Sequence, residues 1–387
     1  MLAPKLRFKE FNDEWKKIKL KNISTELQYG MNVAATDFDG MNKYIRITDI
    51  DDNTHLYNNN PVSPDGKLEE KFLVNTNDIL FARTGASTGK TYLYSIEDGR
   101  LFFAGFLIRA HIKENNNSRF IFEQTNLSRY KNWLKLTSMR SGQPGINSAE
   151  YGNYEFSITN IDEENKIAHF FELLNKKIEL QQRKIEVLKM YKRGLINKIF
   201  NIQYNNTSRL KDLIKEKSIR NKENIVKEVY SVNNKCGFIL QAEQFKDREV
   251  ASEDTSNYKI VQYNDFAYNP ARINVGSIAR MKKYNKGIIS PMYICFSCKE
   301  RLLPEYLEYY YDSEVFRHEM TKRLEGSVRM CLSYEAMINI PLDLPKFEEQ
   351  KRMTKVLVEI DNKIEKEETI YSAINRLKKG LLQKMFI

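Results

Sequence analysis

The fold is decided by residues 171–199, FELLNKKIELQQRKIEVLKMYKRGLINKI, in which apolar side chains recur alternately every three and four positions. The residues that carry this spacing are Phe171, Leu174, Ile178, Ile185, Leu188, Leu195 and Ile199. An apolar period of about 3.5 residues is what two helices need in order to pack along their whole length. The stretch therefore predicts a long helix over residues 161–200 with one apolar seam.

The same seam occurs a second time in residues 357–385, LVEIDNKIEKEETIYSAINRLKKGLLQKM. Its members are Leu357, Ile360, Ile364, Tyr371, Ile374, Leu381 and Met385. Polar residues interrupt the two seams at matching places, Gln181 with Glu367 and Lys192 with Lys378. Polar seam residues cost stability but fix the register of a helix pair. The shared interruptions therefore favour pairing of the two helices with each other over packing of each helix on a separate domain.

The rest of the chain is duplicated as well. The segments GLINKIF (194–200) and GLLQKMF (380–386) lie 186 positions apart, and EENK (163–166) and EEQK (348–351) lie 185 apart. A colinear series of such matches is the signature of an internal repeat with small loop insertions. We expect an α+β protein in which two mixed α/β domains alternate with two long helices. The expected boundaries are 1–160, 161–200, 201–345 and 346–387.

The charge of the chain favours a polyanionic partner. Lys and Arg number 62 against 51 Asp and Glu, which gives a formal net charge of +11. Nucleic acid is the first partner to consider for such a surplus, ahead of a membrane surface. The sequence has no run of about 18 apolar residues, so we expect no helix that spans a bilayer. The opening residues lack the apolar core of a secretion signal. The 4 Cys suggest a reducing compartment, so we expect a cytoplasmic protein.

Polar, Gly-containing loops recur at corresponding places in the two halves. Two of them follow strand-like runs, at 83–90 and 269–277, and another pair precedes the long helices. Gly allows close backbone approach, and the polar side chains suit phosphates and base edges. We predict DNA contacts at Arg83, Thr84, Ser87, Lys90, Arg140, Gln143, Arg272, Asn274, Ser277 and Arg329.

The length of the helices suggests how two such readers are spaced. At about 1.5 Å per residue each helix is nearly 60 Å long, whereas one turn of DNA is about 35 Å. A helix pair of this length is able to hold two reading domains over successive turns of a duplex. Tethering makes the second half-site event intramolecular, so the specificities of two weak readers multiply. The sequence therefore predicts a bipartite DNA target.

Over its whole length the chain resembles the specificity subunits of type I restriction–modification systems. The resemblance rests on PKLRF (4–8) with WKKIKL (15–20), on NPARIN (269–274) with the Gly-Ser that follows, and on Pro345, Glu349-Gln350 and GLLQKMF around the second helix. The first half departs slightly, with Asn165 where Gln is usual in the family. The resemblance implies two target-recognition domains alternating with two long helices that pair antiparallel as a coiled coil.

The resemblance also implies partners. It implies that the chain binds double-stranded DNA and assembles with two methyltransferase subunits and with motor–nuclease (restriction) subunits. Such a complex methylates adenine with S-adenosylmethionine and cleaves unmodified DNA with ATP and Mg, and these cofactors belong to the partner subunits. The chain itself is expected to hold no cofactor or metal and to be non-catalytic.

Several motifs suggest chemistry but lack the context that the chemistry requires. GASTG (85–89) fits a nucleophile elbow, yet a strand-like run follows where that motif needs a helix. The same loop ends like a phosphate-binding loop, but Thr84 stands where the first Gly is required. Cys295 and Cys298 have zinc-ligand spacing, but they lie in an apolar, strand-like run that is typical of buried packing thiols.

Three other functions stay open at this point. The chain could be a stand-alone nuclease or methylase with an unrecognised site, a coiled-coil adaptor without a nucleic acid partner, or a reader of RNA. Turnover by the purified chain, salt-dependent DNA binding and competition by duplex DNA separate these functions from a DNA-reading subunit.

Overall fold

The computed structural model describes residues 2–52, 54–139, 143–204, 207–234, 236–244, 254–326 and 330–387. Its contacts divide the chain into two compact units, residues 1–181 with 370–387, and residues 182–369. We call these the first and the second unit. Each unit contains one globular part and a segment of both long helices.

The first half of the chain is a mixed sheet-and-helix domain followed by a helix of 40 residues. Its elements are β1 (Lys16–Lys19), α1 (Leu20–Ile23), β2 (Ser24–Tyr29), β3 (Ala34–Asp37), β4 (Lys43–Ile45), β5 (Val62–Asp65), β6 (Asp78–Ala82), β7 (Thr91–Leu93), β8 (Leu101–Phe103), β9 (Leu107–Ile112), α2 (Ser118–Gln124), α3 (Ser128–Thr137), α4 (Ser148–Asn153), β10 (Glu155–Ile158) and α5 (Ile161–Phe200).

The second half repeats this plan and closes with a helix of 39 residues. Its elements are β11 (Thr207–Arg209), α6 (Leu210–Leu213), β12 (Ile214–Glu216), β13 (Val229–Asn233), β14 (Gly237–Leu240), α7 (Gln241–Gln244), β15 (Lys259–Gln262), β16 (Phe266–Tyr268), β17 (Ile278–Arg280), β18 (Lys286–Ile289), β19 (Ile294–Cys298), α8 (Pro304–Tyr311), α9 (Glu314–Thr321), α10 (Tyr334–Ile338), β20 (Pro341–Asp343) and α11 (Phe347–Met385).

The main sheets of the two halves have the same strand order. The first sheet runs β2-β9-β6-β7 and the second runs β12-β19-β16-β17, and neighbouring strands are antiparallel in both. A separate strand pair, β1 with β10 and β11 with β20, joins the start of each domain to the strand before its long helix. The predicted α+β class and the predicted internal repeat are therefore confirmed.

The smaller sheets differ between the halves. In the first half, β3 pairs antiparallel with β5, and β4 pairs parallel with β8. In the second half, one sheet of order β14-β13-β18-β15 takes their place. The duplication is therefore conserved in the main sheets next to the long helices and has diverged in the smaller ones.

Strand β6 is the rigid support of the first domain. All of its residues are buried, and it lies between β9 and β7. Because successive side chains of a strand point to opposite faces, Ile79 and Phe81 enter one apolar core while Leu80 and Ala82 enter another. The chain that leaves the end of β6 at residue 83 therefore starts from a fixed position.

The turn before this strand is also repeated. Asn77 precedes β6 with φ 71°, and Asn264 precedes the equivalent β16 by two residues with φ 70°. Asn is one of the few residues that adopt this left-handed conformation readily. The next residue closes the turn in both halves, since Asp78 accepts a hydrogen bond from the backbone of Asn75 at 2.7 Å and Asp265 accepts one from Gln262 at 2.8 Å.

In the first unit, the beginning of α5 packs against the end of α11. The rings of Phe171 and Phe386 lie 5.8 Å apart, tilted by 35°. Leu382 and Met385 belong to the same buried core, together with Trp15 of the globular part. The start of one helix therefore meets the end of the other, which is the antiparallel arrangement.

In the second unit, the later part of α5 faces the earlier part of α11. Lys184 pairs with Glu367 at 2.6 Å, and Lys192 pairs with Asp361 at 2.7 Å. As residue numbers rise along α5 they fall along α11. The expected antiparallel pairing of the two helices is therefore confirmed, and the buried or half-buried seam positions follow the predicted spacing in both helices.

The polar residues that interrupt the seams join the helix pair to the globular parts. In the second unit, Asp361 binds Lys192 and also accepts a hydrogen bond from the Tyr309 hydroxyl of α8 at 2.7 Å. In the first unit, the buried carboxylate of Glu123 on α2 accepts a hydrogen bond from Asn175 at 2.8 Å and lies 3.9 Å from Lys378. The charges of Lys192 and Lys378 are therefore compensated by polar groups, which supports a role of these interruptions in fixing register.

The start of each long helix carries a buried polar side chain at the same place. Glu164 accepts a hydrogen bond from the backbone of Asn117 at 2.8 Å, and Gln350 accepts one from the backbone of Leu303 at 2.8 Å. These two residues lie 186 positions apart, whereas the segments EENK and EEQK lie 185 positions apart in the sequence match. The structure therefore pairs Glu164 with Gln350, one residue further along than the sequence match does. The structural counterpart of Gln350 in the first half is therefore Glu164 and not Asn165.

Glu164 makes the stability of the first unit depend on pH. Burial raises the pKa of its carboxyl group to about 7, so the folded state holds this proton more tightly than the unfolded state does. The stabilisation is full below the unfolded pKa, which is about 4.3, and is lost as pH rises toward 7. We expect Glu164→Gln to raise the free energy of unfolding by about 2 kcal/mol at pH 8 and by little at pH 4.5. Urea unfolding at both pH values measures this, and an equal gain at both would contradict it.

Candidate nucleic-acid interface

The first predicted loop, residues 83–90, is a tight turn between β6 and β7. The Thr88 amide donates to the Gly85 carbonyl at 3.0 Å, and the Gly89 amide donates to the Ala82 carbonyl at 2.9 Å. Gly89 has φ 91°, and a Cβ there would collide with the side chain of Leu134. Gly is therefore required at this position both for the backbone conformation and for the close approach of α3.

A second predicted loop lies beside the first in the same unit. The Gly85 amide donates to the Pro144 carbonyl at 3.0 Å, and the Ile146 amide donates to the Arg83 carbonyl at 2.9 Å. The exposed Gln143 side chain lies next to Gly85, with its Nε2 3.2 Å from where a Cβ of that glycine would be. The structure therefore brings the segment of Gln143 onto the loop that begins at Arg83, as two loops predicted to contact DNA would require.

The guanidinium group of Arg83 contacts two aromatic rings. Its guanidinium carbon lies 5.0 Å from the ring centre of Tyr29 and 5.8 Å from that of Phe106. Its Nε donates to the Gly105 carbonyl at 2.9 Å. Phe106 is 57% exposed although it is a large apolar residue. Sequence reasoning missed both aromatic residues, because nothing in the run LFFAGFL distinguishes the exposed Phe from its two buried neighbours.

Lys90, one of the predicted DNA contacts, has a structural role instead. Its ammonium group donates to the Ile50 carbonyl at 2.9 Å and forms an ion pair with Asp52, and its side chain is 11% exposed. A lysine charge that leaves water needs such acceptors. Lys90 therefore anchors the 47–52 segment to the loop and does not extend toward a ligand.

The second unit presents the equivalent loop at residues 269–277, after β16. The Leu332 amide donates to the Pro270 carbonyl at 3.1 Å, which repeats the bond between residues 146 and 83 of the first unit. Arg272 and Asn274 are exposed in this loop. Ser277, another predicted DNA contact, is buried instead of exposed. Its hydroxyl group donates a hydrogen bond to the Val232 carbonyl at 3.3 Å.

A cleft of about 760 Å³ lies beside this loop within the second unit. One wall is the 273–276 segment, and the opposite wall comes from the end of α5 and from α9. Lys189 and Arg193 line it, and both already form ion pairs, with Glu368 at 2.6 Å and Glu314 at 3.0 Å. Arg317 is exposed at the same cleft. The loop that carries Arg272 and Asn274 therefore stands next to a partly charged groove.

The structure does not test the remaining predicted DNA contacts, which stay predictions. Arg140 and Arg329 lie outside the described residues. Thr84 and Ser87 are half-buried in the first loop, where Thr84 bridges to Gly145.

The groups that suggested chemistry have other surroundings in the structure. Cys295 and Cys298 lie on β19, and burial raises the pKa of each thiol to about 12. No three His, Cys, Asp or Glu side chains of the described residues converge into a metal-binding group. In the same part of the chain, no helix is long and apolar enough to cross a bilayer.

The sequence of the chain is similar to specificity proteins of type I restriction systems. Residues 12–190 match the sequence profile of a family described as type I restriction modification DNA specificity domain. A curated relative, the type I restriction enzyme MjaVIII specificity subunit of Methanocaldococcus jannaschii, is 22% identical over 354 residues, covering 81% of this chain and 79% of the relative.

Two solved structures share the fold over almost the whole chain. The type I restriction–modification S subunit from M. genitalium aligns with a TM-score of 0.60 at 15% identity, covering 100% of this chain and 99% of the other. A chain from a study of complex assembly and conformational transition of the type I restriction–modification system aligns with a TM-score of 0.56 at 14% identity, covering 96% and 97%.

Proposed function

We propose that this chain is a specificity subunit of a type I restriction–modification system, as its similarity to such proteins supports. We further propose that it reads a bipartite DNA target and leaves the chemistry to partner subunits. Each unit would read one half-site. The paired helices would set the gap between the half-sites.

The observation that carries this proposal is the repetition of one loop arrangement. In both units the strand at the centre of the main sheet leads into a polar loop, which is largely half-buried in the first unit and more exposed in the second. That loop pairs through its backbone with the segment before the last short helix. Two reading loops on duplicated domains fit two half-sites better than one continuous site.

The duplication also bears on the partners. Because the main sheets and the long helices occur twice in the chain, a partner that binds one copy of these elements has a second, equivalent copy to bind. We infer two methyltransferase subunits per chain for this reason, together with motor–nuclease subunits that join the assembly. S-adenosylmethionine, ATP and Mg would be held by those partners, and the complex would work in the cytoplasm, where it meets DNA.

An assay of the separated parts tests the division of labour. The purified chain, given target DNA with Mg, S-adenosylmethionine and ATP, is expected neither to methylate nor to cleave it, whereas the complex with its partners is expected to do both. Turnover by the chain alone would contradict the proposal and would favour a stand-alone enzyme.

A binding assay tests the nucleic acid partner. The affinity of the complex for duplex DNA is expected to fall linearly on a logarithmic salt scale, with a slope of about 0.9 for each phosphate contacted. RNA should not displace the duplex at equal concentration. Binding without salt dependence would indicate an adaptor, and displacement by RNA would indicate an RNA reader.

A further inference from the structure

We propose that Arg83 reads a guanine in the half-site bound by the first unit, and that Tyr29 and Phe106 are positioning residues that hold its guanidinium group for this contact. The proposal rests on the proposed function and goes beyond it, because it assigns a base and the side chains that select it.

The geometry leaves one edge of Arg83 available. Its Nε donates to the Gly105 carbonyl at 2.9 Å, and its guanidinium carbon lies 5.0 Å from the ring centre of Tyr29 and 5.8 Å from that of Phe106. No other described residue accepts a hydrogen bond from its two terminal nitrogens or forms an ion pair with them. A fork whose stem is fixed and whose two outer donors are unpaired is prepared for a bidentate acceptor.

The support beneath this fork is rigid. The Arg83 backbone amide donates to the Phe106 carbonyl at 3.0 Å, and its carbonyl accepts from Ile146 at 2.9 Å. The Tyr29 hydroxyl accepts a hydrogen bond from the Ser148 amide at 3.0 Å, which fixes that ring in turn. Because β6 is fully buried just before Arg83, little conformational freedom of the backbone remains to be lost on binding.

The surroundings favour a base edge over a phosphate. A phosphate contact needs only charge and is usually made by long, solvated side chains. Here an apolar ring, Phe106, is 57% exposed beside the guanidinium, and apolar side chains gain by contact with base edges such as the thymine methyl group. Guanine presents O6 and N7 as paired acceptors in the major groove, and a bidentate arginine is its commonest partner.

The test uses the complete complex with its partner subunits. The methylated motif is first mapped in cells, and the purified complex is then titrated with duplexes in which each guanine of the motif is replaced singly by 7-deazaguanine, which lacks the N7 acceptor. One such replacement is expected to weaken binding of the wild-type complex about tenfold. The same replacement should weaken the Arg83→Met complex no further, because that variant keeps the length of the side chain but has no donor for the guanine acceptors.

Further variants separate positioning from folding. Phe106→Leu and Tyr29→Leu are expected to reduce discrimination at that same base. Tyr29→Phe keeps the ring and loses only the hydrogen bond with Ser148, so it should reduce discrimination less than Tyr29→Leu. Thermal unfolding of each variant shows whether the unit is intact. Arg272→Met is the matched control in the second unit and should leave this base unaffected.

Three results would overturn the inference. The first is a motif in which no 7-deazaguanine substitution matters, and the second is an Arg83→Met complex with unchanged base preference. The third is an Arg83→Met complex that binds all duplexes equally more weakly and has a salt slope smaller by about one, since that is the behaviour of a lost phosphate contact. Absence of any methylated motif would instead refute the proposed function, and the inference with it.

Discussion

Replacing Phe171 with alanine is expected to lower the free energy of unfolding of the first unit by about 3–5 kcal/mol. Phe171 is 0% exposed and lies in the core where α5, the end of α11 and the globular part meet. Truncation removes its contact with Phe386 and leaves a cavity that three packed elements cannot readily fill. Urea unfolding followed by far-ultraviolet circular dichroism measures the loss.

The same helix supplies the control. Leu173 lies two residues further along α5 and is 55% exposed. Leu173→Ala removes an apolar side chain from the exposed side of α5, away from the seam. The free energy of unfolding is therefore expected to change by no more than about 0.5 kcal/mol. Equal losses for the two variants would mean that the seam assigned to α5 is wrong.

Shortening both long helices by one heptad is expected to shorten the gap in the recognised DNA sequence by about three base pairs. Seven residues rise about 10.5 Å in a helix, and a base pair rises about 3.4 Å. Deletion of residues 179–185 from α5 and 369–375 from α11 keeps the seam in phase, because the apolar period repeats every seven residues. Adenine methylation mapping should show the two specified blocks unchanged and closer together.

A deletion out of phase is the matched control. Removing only residues 181–182 and 371–372 turns the following part of each seam by about 200° around its helix, and we expect loss of stability and of methylation in place of a shorter gap. A heptad deletion that altered the specified bases, or left the gap as it was, would contradict the role of the helix pair as a spacer.

The parts of the fold that could be predicted are those with a strong local period. The alternation of Phe171, Ile178 and Ile185 at seven-residue spacing can bury its residues in only one way, as a helix seam. The duplication was equally visible, because it needed only a comparison of the chain with itself. Both follow from neighbours in sequence.

The parts that could not be predicted depend on contacts between distant segments. Lys90 looked like a free cation, but carbonyl groups from residues 47 and 50 accept its hydrogen bonds. Ser277 looked like a loop donor, but it packs against β13 and is buried. Likewise, Tyr29 and Phe106 are far from Arg83 in sequence. The pairing of β2, β9 and β6 brings the three residues together.

The central claim is that two recognition loops on duplicated domains read two separate half-sites, and exchanging one domain tests it most directly. The globular part at residues 207–345 is replaced by the corresponding part of a related subunit with a different target, and the methylated adenine motif is mapped in cells that carry the partner subunits. The account predicts that one specified block of the motif changes, while the other block and the gap stay the same. A continuous motif, or a change in both blocks at once, would contradict it.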